Sequence, residues 1–209
     1  MIEIFKILFG KNVYWLNSFI FKYLLRFKKT KIGKNFYSEG RIKISTPNNI
    51  YNNLIIGDNV LIMGDVEFLL RGNGKIFIGN NVKIDNHVRL LAANDAKLEI
   101  KSNTNIGKAT VINSGADITI GENVLISGNC YIQSSSHSFK KDNLIKSQKH
   151  EHEKIEIEND VWLGAGSIVL KGIKVAKGTV LGANSLLNID TDENSIFAGS
   201  PAKKISSRN

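Results

Sequence analysis

The chain has a single cysteine, Cys130, in 209 residues. No internal disulfide can form, so a reducing compartment, the cytoplasm, is expected. Two prolines and ten phenylalanines argue against disorder. No apolar run reaches the roughly 18 residues of a membrane span, because Lys11, Asn17 and Lys22 interrupt the apolar stretch near the start. A signal peptide is not expected either, since Lys6 breaks the apolar run and no small-residue cleavage site follows. Acidic residues are scarce in the same region. Residues 1–34 hold Glu3 against eight lysines and arginines, which is +7 of the chain's net +9. Such asymmetry predicts a surface-binding segment rather than a basic domain. The repeats described next carry no aromatic-basic interleaving and no nucleic-acid motif, so nucleic acid is not an expected partner.

What is present is a period of six. Ile157, Leu163, Val169, Val175, Leu181 and Leu187 are aliphatic without a miss. Four places after each of the first five stands a compact, hydroxylic or β-branched residue: Val161, Ser167, Ile173, Thr179 and Ser185. This hexapeptide repeat is a sequence signature of β-helices. One inward anchor per side turns the chain through a corner and lets it stack on itself. Cys130 falls at such a four-on position after Ile126, which makes it a small buried residue rather than a nucleophile.

A phrase marks each coil: Ile32-Gly33-Lys34-Asn35-Phe36, Ile56-Gly57-Asp58-Asn59-Val60, Ile78-Gly79-Asn80-Asn81-Val82, Ile120-Gly121-Glu122-Asn123-Val124 and Ile157-Glu158-Asn159-Asp160-Val161, with a weaker copy at Ile100. The starts are separated by 24, 22, 22, 20 and 37 residues, and Ile157 to Val175 is 18. Subtracting an 18-residue coil leaves insertions of 6, 4, 4, 2 and 19 residues. Gly and Asn in the phrase tolerate the positive φ of a tight corner. The largest insertion, about 138–156, is polar and leaves the solenoid immediately after His137. A loop of that length is functional or disordered. The expected organisation is an N-terminal amphipathic helical segment over 1–31, a solenoid over 32–205 and a tail at 206–209.

Residues 2–29 read as helix. Leu16, Phe19, Ile20, Tyr23, Leu24 and Phe27 follow helical spacing. Two roles fit this face: a cap over the open end of the stack, or a basic amphipathic anchor on an anionic membrane. The two can coexist.

With these pieces in order, the chain resembles the hexapeptide acyltransferases, and more closely the maltose/galactoside and the capsule and lipopolysaccharide O-acetyltransferases. The resemblance covers about residues 56–205. Its motifs are the Ile120 phrase, His137, the insertion, Asn159-Asp160-Val161-Trp162-Leu163-Gly164-Ala165, Leu181-Gly182-Ala183-Asn184-Ser185 and Ala198-Gly199-Ser200-Pro201-Ala202-Lys203. It implies an all-β solenoid, a left-handed parallel β-helix; spacing alone leaves the hand open, and the general rule favours right-handed crossovers. It also implies a homotrimer with active sites between subunits, acetyl-CoA as donor, no metal, and a sugar or surface-glycan acceptor.

The resemblance assigns roles residue by residue. His137 is the general base that deprotonates an acceptor hydroxyl, a role suited to imidazole. Acetyl-CoA is already a thioester, so transfer is direct. Gly164, Ala165, Gly182 and Ala183 offer backbone to the coenzyme, Lys203 faces its phosphates, and Trp162 offers the acceptor a stacking surface. Asn113 is a further acceptor-positioning candidate. Two departures stand out. Ile189 replaces the lysine common before Asp190, and Ser134-Ser135-Ser136 replaces an aspartate before His137, so the imidazole needs another orienting partner. Two alternatives remain on the same fold: N-acetylation of an amino sugar, and a zinc enzyme resembling γ-class carbonic anhydrases with His87, His137 and a loop histidine converging. His150-Glu151-His152 on a mobile loop is a poor fit to a preformed metal site.

Overall fold

Each coil turns three corners, and the corners stack. The structure is a computed structural model that describes Gly10 and residues 12–209. Three parallel sheets form the faces of a solenoid of about seven turns, in agreement with a left-handed β-helix. In the first face Ile32, Ile56, Ile78, Ile100, Ile120, Ile157 and Val175 lie in register over one another. Each coil's second-face anchor, such as Ile126, Leu163 or Leu181, stacks likewise. The third face aligns Ile44, Phe68, Leu90, Ile112, Ile132, Val169 and Leu187.

The predicted anchors Ile157 through Leu187 are all fully buried, and so, nearly, are the four-on residues Val161, Ser167, Ile173, Thr179 and Ser185. Burying one such aliphatic side chain contributes about 1.5–3 kcal/mol. Hydroxyls within the coils are tolerated where they find partners. Thr104 Oγ1 donates to the Gly121 carbonyl at 2.9 Å, and Thr110 Oγ1 to the Ser127 carbonyl at 3.0 Å. Cys130 is buried as expected, its Sγ 3.3 Å from the Gly164 carbonyl.

The corner chemistry divides differently from the sequence expectation. Positive φ falls on the fourth residue of each phrase, for example Asn59 at 56° and Asn81 at 55°, and Asp160 at 58° in the Ile157 phrase. Those asparagines also form a side-chain ladder, Asn35 to Asn59 to Asn81 to Asn103, at 2.9–3.0 Å. The phrase glycine serves the stacking instead. A Cβ on Gly57 would lie 2.7 Å from the Gly79 carbonyl oxygen, so the residue is needed for close approach of the coils, not for its φ.

In every coil the first-, second- and third-face anchors are six residues apart, as in Ile120, Ile126 and Ile132. All insertions therefore fall between the third face and the next first face. The largest becomes an antiparallel ribbon, Ser135–His137 against His150–His152, with a short 3-10 turn at Ile145–Ser147. The excursion starts three residues before the expected position, and His150-Glu151-His152 is a strand rather than a structureless loop.

The helix α1 spans Asn12–Phe27; the rest of the expected helix, residues 1–9 and 11, lies outside the described residues. It lies across the first coil, so the cap role is realised, but with a face other than the one expected. Tyr14, Ser18 and Leu25 are buried, and Phe21 stacks on Phe36 with ring centroids 5.7 Å apart. Ser38 N–H donates to Ser18 Oγ at 2.7 Å, and Lys22 Nζ donates to the Gly33 carbonyl at 2.5 Å. Burial pushes the Lys22 ammonium pKa down, with Arg26 adding to the effect. The stripe from Leu16 to Phe27 points away from the core and is exposed. No helix among the described residues is long and apolar enough to cross a membrane.

Candidate active site

Two groups of site residues form at two different corners. The first is the corner between the second and third faces in the last coils. Gly164-Ala165 and Gly182-Ala183 occupy equivalent turns there, one above the other. A Cβ on Gly164 would lie 2.6 Å from the Ala183 nitrogen and 2.7 Å from the Leu181 oxygen. The Gly164 and Gly182 amides are used by the stack, donating to Leu181 and Phe197 carbonyls at 2.8 Å each. Ala165 and Ala183 are exposed, and their amides donate no hydrogen bond within the described chain. Lys203 joins this corner through the closing hairpin, where it pairs with Ala198. Ala198 Cβ would in turn lie 3.1 Å from a Cβ on Gly182. Trp162 stands on the second face just before the corner, 48% exposed, and its Nε1 donates to Ser127 Oγ at 3.1 Å. Sequence reasoning missed Ser127, whose signal is its place one residue past the anchor Ile126, in the coil that stacks on the one bearing Trp162.

The second group sits where the fifth coil leaves its third face. His137 is exposed on the ribbon, directly opposite His150. Their ring centroids are 3.9 Å apart with a 41° tilt, and His152 follows 6.0 Å beyond His150. The side chain set against the His137 ring is therefore the His150 imidazole. In the sequence, His150 stands out only for metal binding. Ser134 fixes the base of the ribbon: its buried Oγ accepts from the Gly115 and Ala116 amides at 2.9 and 3.0 Å. Ser136 Oγ is buried without a hydrogen-bond partner. Lys171 ties the returning strand to the solenoid through ion pairs with Glu151, at 3.4 Å, and Glu153. Glu153, with Glu151 contributing, raises the Lys171 pKa.

Asn113 belongs to this second group. Its Nδ2 donates to Tyr131 Oη at 3.2 Å and to Gln133 Oε1 at 3.3 Å, while Gln133 Nε2 donates to the Ser135 carbonyl at 2.6 Å. Asn113 Oδ1 is buried and unpartnered. The two acceptor candidates are thus separated, Asn113 with His137 and Trp162 with the glycine corner. His87 lies at a second-to-third corner in the third coil, away from His137, so the three-histidine cluster of the zinc alternative does not form within the described chain. Among the described residues no three His, Cys, Asp or Glu side chains are grouped to hold a metal ion.

Comparison with known proteins adds to this geometry. The hexapeptide repeat of succinyl-transferase matches residues 99–134 and 154–188. The galactoside O-acetyltransferase of Lactococcus lactis is 39% identical over 85 residues, 41% of each chain. A putative lipopolysaccharide biosynthesis O-acetyl transferase of Escherichia coli is 33% identical over 115 residues, 51% of this chain and 59% of that one. These matches span about two fifths and three fifths of the relatives' lengths. Among solved structures, AntD of Bacillus cereus, an N-acyltransferase in complex with dTDP and 3-hydroxybutyryl-CoA, superposes with a TM-score of 0.64. It is 21% identical, with 90% of this chain and 88% of AntD covered. The polysialic acid O-acetyltransferase OatWY gives 0.57 at 23% identity, covering 85% and 88%. At these identities the structural likeness establishes the fold. The chain carries the hexapeptide repeat and resembles the hexapeptide-repeat acyltransferases, with sugar and lipopolysaccharide O-acetyltransferases among its relatives.

Proposed function

We propose that the protein is an acetyl-CoA-dependent O-acetyltransferase acting on a hydroxyl of a sugar or surface-glycan precursor, with both corners contributing to each site. His137 removes the hydroxyl proton as the acceptor oxygen attacks the thioester carbonyl. The tetrahedral intermediate collapses with loss of the coenzyme thiolate, which takes up the proton held by His137. The exposed Ala165 and Ala183 amides hold the pantetheine arm and thioester, since a backbone N–H is a donor that needs no reorganisation. Lys203 faces the coenzyme phosphates, and Trp162 stacks against the acceptor. The relatives and the coenzyme-bound AntD support this donor and acceptor class.

The observation that carries the proposal is the division of the site between two edges of the third face. Within one chain His137 and the glycine corner stand at opposite edges of the third face; in this proposal a neighbouring copy brings them together. The outward rows fit that arrangement. On the third face the row is Val111, Tyr131, Ile168 and Leu186, and on the second Leu125, Trp162 and Val180. The first face shows Glu99, Thr119, Glu156 and Lys174 instead. In these later coils two largely apolar rows and one charged row suit a closed ring in which each copy uses two different patches, whereas in the first three coils the third face carries Lys43, Glu67 and Arg89 and the first face Ile55 and Phe77. The ring is a homotrimer in this proposal. We further propose cytoplasmic location and peripheral association of the N-terminal segment with the inner face of the membrane.

The test is release of free thiol from acetyl-CoA across a panel of sugars and glycans. Thiol release that depends on a hydroxyl-bearing acceptor supports the proposal. No release with any acceptor, or release with amino sugars alone, contradicts it.

A further inference from the structure

The helix α1 uses one face to cap the solenoid and leaves another bare. Trp15, Phe19, Tyr23 and Phe27 form a row at four-residue spacing, between 58% and 81% exposed. Leu16, Ile20 and Leu24 form the adjacent row, and Trp15 stacks on Phe19 at 6.0 Å. Rows at that spacing share one side of a helix. Contiguous exposed apolar surface of this kind marks a binding face. Because Tyr14, Ser18 and Leu25 are turned into the first coil, the bare strip faces away from the solenoid, over its end.

The charge around the strip identifies what it meets. Residues 12–34 contain no Asp or Glu. Arg26, Lys28, Lys29, Lys31 and Lys34 are exposed at the C-terminal end of the helix and just beyond it. A helical partner would need complementary charges flanking the apolar seam to fix register, and a second copy of α1 brings only like charge. An anionic lipid surface matches both features. It accepts tryptophan, tyrosine and phenylalanine at the headgroup level, and it attracts basic residues of one sign. A planar surface also reaches every residue of the strip at once.

We infer that this strip docks the protein on an anionic membrane while the opposite face of the same helix caps the β-helix. The inference deepens the peripheral association proposed above by giving it a surface and a lipid class, and it does not depend on the reaction. It also places the fifth coil, which His137 leaves, four ladder steps or roughly 20 Å above the first coil at about 4.8 Å per step, with the helix, about 10 Å across, between that coil and the membrane.

The experiment is co-sedimentation of the full chain with vesicles of phosphatidylcholine alone and of phosphatidylcholine with phosphatidylglycerol. Binding is expected to the second kind, weakened by added salt. The triple substitution Trp15→Ser, Phe19→Ser and Phe27→Ser alters exposed side chains, so the thermal unfolding midpoint should hold while binding falls roughly tenfold or more. Acetyl transfer to a soluble acceptor should be unchanged, which separates failure of docking from failure of the enzymatic proposal. A chain that stays in solution with both vesicle types overturns the inference. So does equal binding by the triple variant. If the chain ignores vesicles and the triple variant loses oligomeric mass in sedimentation, the strip is a subunit contact and the membrane assignment is wrong.

Discussion

The second-to-third corner of the last coils and the third-to-first corner of the fifth coil come from the same repeat, yet one admits no extra residue and the other releases the ribbon. At the first, Gly164 and Gly182 let backbone stack on backbone, and a Cβ has no room at Gly164. At the second, the chain departs through Ser135–His137 and returns through His150–His152. The tight corner offers fixed amides, which suits holding a donor. The open corner offers a side chain on a projecting ribbon, which suits proton transfer to varied acceptors. In the proposed reaction a rigid stack supplies the donor half and an insertion the acceptor half.

The sharpest way to separate the corners is His137→Ala. It should lower turnover about 100- to 10,000-fold, the usual share of a general base, with coenzyme affinity nearly unchanged in a binding titration. Turnover within a few-fold of the original would remove His137 from the chemistry.

Glycine substitutions compare the corners by stability. Gly164→Ala drives a Cβ into the Ala183 and Leu181 backbone and should cost about 1–3 kcal/mol, the usual range for overpacking, read as a midpoint lowered by several degrees. Gly115→Ala, one coil below the open corner, meets chiefly the His152 imidazole, at 2.7 Å. That side chain can move, so its midpoint should fall less. Equal losses would mean that the open corner is as tightly packed as the closed one.

Trp162→Ala tests whether the tight corner also serves the acceptor. The side chain is half-exposed, so folding should survive while acceptor KM rises or kcat falls, by roughly tenfold at most for one stacking face. Loss of coenzyme binding alone would move Trp162 to the donor.

The smallest expected effect is in the stitching between coils. Glu158 and Lys174 pair at 2.8 Å. The Lys174 hydrogen bond holds the Glu158 carboxyl below its ordinary 4.5 and the Lys174 ammonium above its ordinary 10.5. Their contribution is therefore full between those two values. It is lost as pH falls through the depressed Glu158 pKa, and again as pH rises through the raised Lys174 pKa. Glu158→Gln should flatten the acid limb of the unfolding midpoint against pH by a small amount, since the pair is largely solvent-screened. An unchanged limb would show that the pair contributes nothing measurable.

Much of the fold is legible in residue spacing. Ile157 through Leu187 announce the stack because one inward anchor per side is its minimum requirement, and the coil-start steps give the insertion sizes. The packed face of the helix is not legible because both faces are apolar. Tyr14, Phe21 and Leu25 are a second helical set with Ser18 in its midst, and contact with the first coil selects between the two sets. The ribbon is hidden because Ser135–His137 and His150–His152 have no apolar alternation and pair across the length of the excursion. The glycine corner, with Gly164, Ala165, Gly182, Ala183 and Lys203, follows from the motifs that carry the resemblance. The contact between His137 and His150 does not, since no spacing rule joins residues across an excursion. Nor does a linear sequence state that two corners of one chain stand on opposite edges of a face.

The central claim is that base and donor corner come from different copies. Mixed oligomers test it most directly. Chains bearing His137→Ala and chains bearing Ala183→Glu, each inactive as its own oligomer, are co-expressed with different tags and purified through both. The shared site predicts recovered acetyl transfer in the mixed oligomer, because an intact His137 then meets an intact glycine corner on its neighbour. A mixed oligomer as inactive as its parents would contradict the account.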